Sequence, residues 1–104
     1  MEVLREGHKY LLANFENQSN PAQTIQFIEK QPTSESSTEL KTINDGTTNE
    51  EVLAMLINRM SYLQSKFPCR ENALVITKLE ESLMWLNKRT EDRKKRNVEG
   101  KQLV

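Results

Sequence analysis

Apolar residues recur at helical spacing in the stretch between Thr48 and Phe67. Leu53, Leu56, Met60 and Leu63 step by three, four and three residues, which places them on one narrow stripe of a helix. Thr48 lies three residues before Glu51, which is the spacing of an N-terminal capping box. Pro68 ends the pattern, because the residue before a proline disfavours the α conformation. The pattern therefore predicts a first helix of about 16 residues.

A second stripe follows the Phe67-Pro68 turn and has the same spacing. It consists of Ile76, Leu79, Leu83 and Leu86. No glycine or proline interrupts the chain from Arg70 to Arg96, so we expect a second helix of roughly 27 residues. The short connection predicts antiparallel neighbours whose stripes face each other. At about 1.5 Å per residue the second helix is roughly 40 Å long against 24 Å for the first, so its basic end, residues 88–96, extends beyond its partner.

The N-terminal part, residues 1–46, carries strand patterns. Three runs fit short strands, at 9–15, 24–29 and 40–43, and the second alternates so that Ile25 and Phe27 share one face. Turn residues follow the first run, residues 31–39 predict a polar loop, and Asn44-Asp45-Gly46 predicts a turn. We therefore expect an α+β fold: a small N-terminal antiparallel β-meander followed by a long antiparallel α-helical hairpin, in an oligomer.

Four large apolar residues fall off the two stripes. Met55 and Tyr62 lie roughly opposite the Leu53 stripe, and Leu74 and Trp85 lie together opposite the Ile76 stripe. Such a set on the outer faces of one small hairpin indicates a second buried surface. Either the N-terminal segment or another subunit covers it, and we favour a contact between subunits.

Composition narrows the class of protein. The chain has 104 residues, a formal net charge of zero and one cysteine. This length predicts a single domain, residues 1–104, with a β-rich part at 1–46 and the helical hairpin and C-terminal tail at 47–104. Zero net charge argues against a general nucleic-acid binder. One cysteine forms no internal disulfide, and no run is apolar enough for a membrane span or a secretory signal, so we expect a soluble intracellular protein.

No catalytic constellation stands out in the sequence. His8 is the only histidine and lies beside an apolar strand, and Cys69 has no visible base partner, so we predict no enzymatic activity. One histidine and one cysteine do not have the spacing of a zinc site, and we expect neither a metal nor a cofactor. The basic run at 88–96 has two interpretations. It is either a solvated helix end that favours the helix dipole or, through Arg89 and Arg93 four residues apart, a fork for a phosphate.

The order of residues in the hairpin resembles that of the helical-hairpin family of phage signal sponges. The resemblance rests on Val52-Leu53, Leu56-Ile57 and Arg59; Phe67-Pro68 and Arg70-Glu71-Asn72; Ile76-Thr77 and Leu79-Glu80-Glu81; Met84-Trp85-Leu86, Arg89-Thr90 and Arg93; and Val98-Glu99-Gly100. Two branches of this family sequester immune signals. The Thoeris anti-defence sponge captures glycocyclic ADP-ribose, and the anti-CBASS sponge captures cyclic di- and trinucleotides. The β-rich N-terminal half resembles the Thoeris branch, and Cys69, Asn97 and Lys101 depart from the usual family residues.

The resemblance implies a role for four residues. Tyr62 stacks on a base, Asn72 hydrogen-bonds the base or ribose, and Arg89 and Arg93 bind phosphate. It also implies a homo-oligomer, dimer or hexamer, that acts without catalysis in the cytoplasm of the infected bacterial host. Each residue has a plainer alternative: Tyr62 as packing, Asn72 as a helix cap and the arginines as solvated charges.

Spacing along the second helix adds one inference about this ligand site. Asn72 and Arg89 are 17 residues apart, or about 25 Å on a straight helix, which one small nucleotide does not bridge. We therefore expect a pocket shared between two antiparallel hairpins. Two alternatives to a sponge remain open: a small nucleic-acid-binding regulator that uses the basic helix end, and an enzyme that cleaves the nucleotide.

Overall fold

The computed structural model describes residues 1–20 and 22–96, and these form two compact units that divide between Thr48 and Asn49. The first unit holds five short strands and the second holds two helices. The predicted α+β class, with an antiparallel strand region before a helical hairpin, is confirmed. Whether the chain behaves as one domain stays a prediction. The expected conformation after Asn97 falls outside the described residues.

The first unit contains two antiparallel sheets. The strands are β1 (Glu2–Arg5), β2 (Lys9–Leu12), β3 (Gln23–Gln26), β4 (Glu29–Pro32) and β5 (Leu40–Asn44). One sheet has the order β1-β2-β3, and the other pairs β4 with β5. Tyr10 lies opposite Ile25 in the first sheet, and Glu29 lies opposite Asn44 in the second. The runs at 9–15, 24–29 and 40–43 were predicted to form one three-stranded meander. That prediction was wrong, because β5 belongs to the second sheet and β1 takes the third place in the first sheet.

Two strands were missed because neither alternates between apolar and polar residues. β1 is exposed at all four residues, and it is defined instead by the tight turn at Gly7, which has a φ of 75°. β4 lies partly in the predicted polar loop and pairs with β5, because backbone hydrogen bonds in a two-stranded ribbon do not require apolar side chains. The first predicted strand is too long, since it ends at Leu12 and leaves Phe15 exposed.

Asn44 is the last residue of β5 and no turn is formed at Asp45-Gly46, so the turn predicted at Asn44-Asp45-Gly46 was wrong. Thr47 forms a parallel bridge with Phe27, in which the Thr47 amide donates to the Gln26 carbonyl at 2.8 Å. The Ile28 amide in turn donates to the Thr47 carbonyl at 2.9 Å. This bridge fixes the chain immediately before the first helix.

A buried carboxylate connects the two sheets of the first unit. Glu29 is 4% exposed and accepts two hydrogen bonds from Arg5, at 2.6 and 2.7 Å, and one from the Asn44 side-chain amide at 3.0 Å. The bidentate hydrogen bond from Arg5 lowers the pKa of Glu29 to about 2. Arg5 belongs to β1 whereas Glu29 and Asn44 belong to β4 and β5, so this cluster joins the sheets through charge rather than apolar packing.

The second unit is the hairpin of α1 (Asn49–Lys66) and α2 (Arg70–Lys95). The helices have 18 and 26 residues, so α2 is longer by about 12 Å, as predicted. Cys69 caps α2, since its Sγ accepts from the Asn72 amide at 3.4 Å. Gln64 braces the turn by accepting from the Cys69 amide at 3.0 Å and donating to the Cys69 carbonyl at 3.1 Å.

The seam between the helices follows the predicted stripe on α2. Ile76, Leu79, Leu83 and Leu86 are all half-buried, and the same three- and four-residue steps continue to Asn72, Thr90 and Arg93. On α1 the prediction was wrong at one position. Leu56 is exposed and Ile57 is half-buried instead, because two adjacent apolar residues lie 100° apart and spacing alone does not choose between them.

The outward positions predicted for Met55, Tyr62, Leu74 and Trp85 are confirmed, since each is exposed. No apolar side chain is buried anywhere in residues 1–20 and 22–96. None of the helices in the described part of the chain is long and apolar enough to cross a membrane.

Candidate functional site

A basic cleft lies along the C-terminal end of α2. It has a volume of about 260 Å³ and is lined by Trp85, Lys88, Arg89, Asp92, Arg93 and Arg96. We call this set the α2 cleft. The helix creates it because residues three, four, seven, eight and eleven positions apart lie along one side of an α-helix. Arg89 and Arg93 are thereby brought together, and the structure adds an indole ring beside them.

Among the described residues, four cationic side chains and one carboxylate line the α2 cleft. Arg93 is only 8% exposed, so the residues packed around it restrict the position of its guanidinium. Arg89 is exposed, and Lys88 contacts Asp92 with 3.1 Å between Nζ and Oδ2. The C-terminal end of a helix dipole repels anions. An anion bound here must therefore be held by these side chains and not by the helix end.

Tyr62 and Asn72 lie at the other end of the hairpin. Tyr62 is exposed in the last part of α1, and the Lys66 Nζ atom lies 5.6 Å from the centre of its ring. This contact is a cation–π interaction, which places a positive charge beside one ring face. The second ring face is the available stacking surface for a base.

Asn72 is half-buried in the first turn of α2, and its backbone amide donates to the Cys69 cap. The residue lies on the seam stripe, four positions before Ile76. Neither Tyr62 nor Asn72 lines the α2 cleft. The second unit therefore brings the two arginines together but does not bring them to Tyr62 or Asn72.

Four lining residues were missed as site residues by the sequence reasoning: Trp85, Lys88, Asp92 and Arg96. Trp85 was assigned to a subunit contact alone, although it is four residues before Arg89 and shares its face. Lys66 was also missed, although it is four residues after Tyr62. The available signal in both cases was the i, i+4 spacing from a residue already assigned to the ligand.

The first unit has a larger and open cleft of about 710 Å³. Its described lining consists of Met1, Glu2, Leu11, Ala13, Gln18, Ser19, Asn20, Ala22 and Thr24. This lining contains one carboxylate and no basic side chain, which is poorly suited to a phosphate ligand. The cationic α2 cleft is therefore the better candidate for an anionic ligand.

The described residues also show little that resembles catalytic or metal chemistry. The His8 Nδ1 atom lies 2.9 Å from the Glu6 carbonyl, so its ring is held by its own turn. Within residues 1–20 and 22–96, no group of three or more His, Cys, Asp or Glu side chains could hold a metal ion. The arrangement that remains is one for binding: a fixed guanidinium, an exposed guanidinium and an aromatic face.

Comparison with known proteins gives two matches. The family model described as "Acb2/Tad1, hairpin domain" matches residues 22–91, about two thirds of the chain. A protein of Bacillus phage SBSphiJ7 named "Thoeris anti-defense 1" is 61% identical over 57 residues. That alignment covers 54% of this chain and only 40% of the phage protein. On the extent of the family match, the chain belongs to the Acb2/Tad1 hairpin-domain family, as its sequence resemblance predicted.

Proposed function

We propose that this chain is a phage protein that captures a cyclic ADP-ribose-type signalling nucleotide, glycocyclic ADP-ribose, and thereby blocks Thoeris defence in the cytoplasm of the infected bacterium. Cyclic di- and trinucleotides of CBASS defence are further ligands within the proposal. The observation that carries it is the α2 cleft, in which Arg89 and Arg93 lie beside Trp85 in a chain of this family. The name of the phage relative supports the anti-defence role.

The chemistry of the four predicted site residues suits such a ligand. Guanidinium groups bind the oxygens of a pyrophosphate in pairs, which favours Arg89 and Arg93 over lysines as phosphate ligands. The free face of Tyr62 provides a stacking surface worth roughly 1–3 kcal/mol per base. The Asn72 side chain can both donate to and accept from a base edge or a ribose.

The site requires a second copy of the chain. Pockets for small ligands usually span roughly 300–1,000 Å³, and the α2 cleft, at about 260 Å³, falls short of that range. Tyr62 and Asn72 lie at the opposite end of the hairpin, so we place them next to the arginines of a neighbouring subunit. Exposed Met55, Leu74 and Trp85, together with the lack of any buried apolar side chain in the described residues, support a subunit contact of this kind.

Capture requires no chemical change in the ligand. A closed pocket between subunits buries most of the ligand surface and slows dissociation, and this is what stoichiometric sequestration demands. The His8 ring is held in its own turn, which gives no support to the alternative of a nucleotide-cleaving enzyme.

The first experiment measures capture and release. Glycocyclic ADP-ribose, cyclic ADP-ribose isomers and cyclic dinucleotides are each titrated into the protein by calorimetry, and the protein is then denatured by heat. We expect tight binding of glycocyclic ADP-ribose and its recovery unchanged in the supernatant. A cleaved ligand would show an enzyme, and the absence of binding across the whole panel would refute the proposed function.

The second experiment tests the shared site with Tyr62→Ala and Arg89→Ala. Each change should abolish tight binding while far-UV circular dichroism stays unchanged, since both side chains are exposed. Loss of Tyr62 removes stacking and should depend little on salt, whereas loss of Arg89 should flatten the salt dependence. Lys95→Ala removes a cation from the same helix end without touching the cleft, and it should bind normally.

Mixing the two defective proteins separates a shared pocket from two independent sites. When subunits exchange, a mixed pair combines an intact Tyr62 end with an intact Arg89 end, so part of the binding should return. Calorimetry that finds no recovered sites after verified exchange would show that Tyr62 and Arg89 do not meet between subunits.

Nucleic-acid binding is the second candidate, and the four cations of the α2 cleft are the observation that favours it. Binding to phosphate backbones depends steeply on salt, since it releases counterions. A steep salt dependence with duplex DNA or RNA, at affinities above those for the nucleotide panel, would support this candidate over a sponge.

A further inference from the structure

The α2 cleft contains one group that opposes the binding of any anion. The Asp92 carboxylate lines the same cleft as Lys88, Arg89, Arg93 and Arg96. Its side chain is 51% exposed, so a ligand in the cleft can reach it. A site built only for phosphate gains nothing from a carboxylate at this position.

Helix stability does not explain Asp92. The residue is three positions before the end of α2, where a negative charge is unfavourable to the helix dipole. Its ion pair with Lys88 has the lysine N-terminal to the acid, which is the less favourable order for residues four apart. The other acidic residue of this segment, Glu91, pairs with Lys94 in the favourable order and does not line the cleft.

We propose that Asp92 is a specificity-determining residue of the α2 cleft, whose carboxylate favours a phosphate ligand that also carries a ribose hydroxyl over a bare polyanion. This inference rests on the proposed function of the cleft as a nucleotide site. An ionised carboxylate only accepts hydrogen bonds, so it pairs with a hydroxyl and repels a phosphate oxygen. Lys88 Nζ donates to Asp92 Oδ2 at 3.1 Å, which leaves the second carboxylate oxygen as an acceptor for a ligand hydroxyl.

The two effects of Asp92 act in opposite directions on two ligand classes. Its charge weakens binding of a bare polyphosphate by about three- to tenfold, as expected for unit charges roughly 6 Å apart near solvent. For a nucleotide, the charge-assisted hydrogen bond to a ribose hydroxyl offsets that repulsion. Asp92 therefore lowers the affinity of the cleft for phosphate ligands that lack the ribose hydroxyl, relative to nucleotides that carry it.

The test combines a change in the protein with a change in the ligand. Calorimetry at fixed salt compares wild type, Asp92→Asn and Glu91→Gln with three probes: glycocyclic ADP-ribose, analogues that each lack one ribose hydroxyl, and tripolyphosphate. Asp92→Asn should raise tripolyphosphate affinity about three- to tenfold. It should also reduce the penalty for removing the contacted hydroxyl by about tenfold.

Glu91→Gln is the matched control, because it changes the net charge of the same segment by the same amount outside the cleft. It should alter the affinity for each probe by about twofold or less at physiological salt, and by the same factor for the nucleotide and its analogues that lack a hydroxyl. Glycocyclic ADP-ribose and its analogues lacking a hydroxyl carry the same charge, so an equal rise for these ligands with Asp92→Asn would show that Asp92 acts through charge alone, and would overturn the inference alone. Wild type that binds no nucleotide would overturn the proposed function and this inference together.

Discussion

Gly46 lies where two backbone segments are too close for a side chain. A Cβ atom at this position would collide with the Gln26 carbonyl oxygen and lie 2.8 Å from the carbonyl carbons of Gln26 and Phe27. All three atoms belong to the backbone, so no side chain can rotate away to make room. We expect Gly46→Ala to force the chain before α1 away from β3.

The size of this effect follows from the hydrogen bonds beside the glycine. Ordinary carbon contacts begin near 3.5 Å, so the segments must separate by roughly 0.7 Å. The hydrogen bonds of the bridge, at 2.8 Å from Thr47 to Gln26 and 2.9 Å from Ile28 to Thr47, would then exceed their normal range. Their loss costs about 1–3 kcal/mol and local overpacking costs about the same, against a gain of up to about 1 kcal/mol from the stiffer unfolded chain. We expect a net loss of about 3 kcal/mol in local stability.

Hydrogen exchange is the suitable assay, because the helical signal of circular dichroism reports mainly on the hairpin. The amides of Thr47 and Ile28 should lose protection by roughly 100-fold in Gly46→Ala, since about 1.4 kcal/mol corresponds to a factor of ten. Amides in the middle of α2 should keep their protection. Equal protection of Thr47 in wild type and variant would refute the reasoning.

Gly7→Ala is the matched control, since the two glycines are needed for different reasons. Gly7 has a positive φ and open space around it, so alanine should cost about 1–2 kcal/mol through backbone strain. Gly7→Asn should cost less, because asparagine tolerates the left-handed conformation. Gly46→Asn should give no such relief, since the obstacle there is space.

Three further predictions concern single side chains. The pKa of Glu29 is lowered to about 2, so its contribution to the free energy of unfolding is present above pH 4.5 and is lost as the pH falls toward 2. Urea titrations at several pH values, followed by the Tyr10 ring signals, should show this loss in wild type and in the control Glu16→Gln, which removes an exposed carboxylate. The loss should be absent in Glu29→Gln. Cys69→Ser should raise the stability of α2 by up to about 1 kcal/mol in urea unfolding, because a hydroxyl oxygen is a better N-cap acceptor than sulfur. A lower urea midpoint in the variant than in wild type would contradict the role of Cys69 as the N-cap. Trp85→Glu should weaken assembly by placing a charge in an apolar contact between subunits. Light scattering of wild type tests the same contact. A mass of 12.1 kDa, that of the monomer, with ligand binding intact would contradict both the contact and the shared site.

The hairpin could be predicted from sequence because its signals are local. Thr48 precedes a helix that begins at Asn49, and Pro68 marks the turn before the Cys69 cap. These features act within a few residues and need no partner elsewhere in the chain. The error at Leu56 and Ile57 arises where spacing alone is degenerate.

The strands were harder to predict because they depend on distant partners. A glutamate such as Glu29 is normally expected at the surface. It is buried here because it is bound by Arg5, which is 24 residues away, and by Asn44, which is 15 residues away. The sequence likewise indicates a turn at Gly46, whereas the structure shows that the glycine is needed because the Gln26 backbone lies too close for a Cβ atom. In this unit, long-range backbone pairing and charge replace the apolar alternation on which strand prediction relies.

The family resemblance assigned all four predicted site residues to the ligand, and two of them, Asn72 and Arg93, also share the period of the seam. Asn72, Thr90 and Arg93 occupy the same three- and four-residue steps as the leucines of α2, but they are polar. Thr90 and Arg93 lie in the part of α2 that is longer than α1, and Asn72 lies beside the turn. A seam that turns polar at both ends of the hairpin is what a pocket formed between antiparallel copies would require, since each end would then face the opposite end of its neighbour.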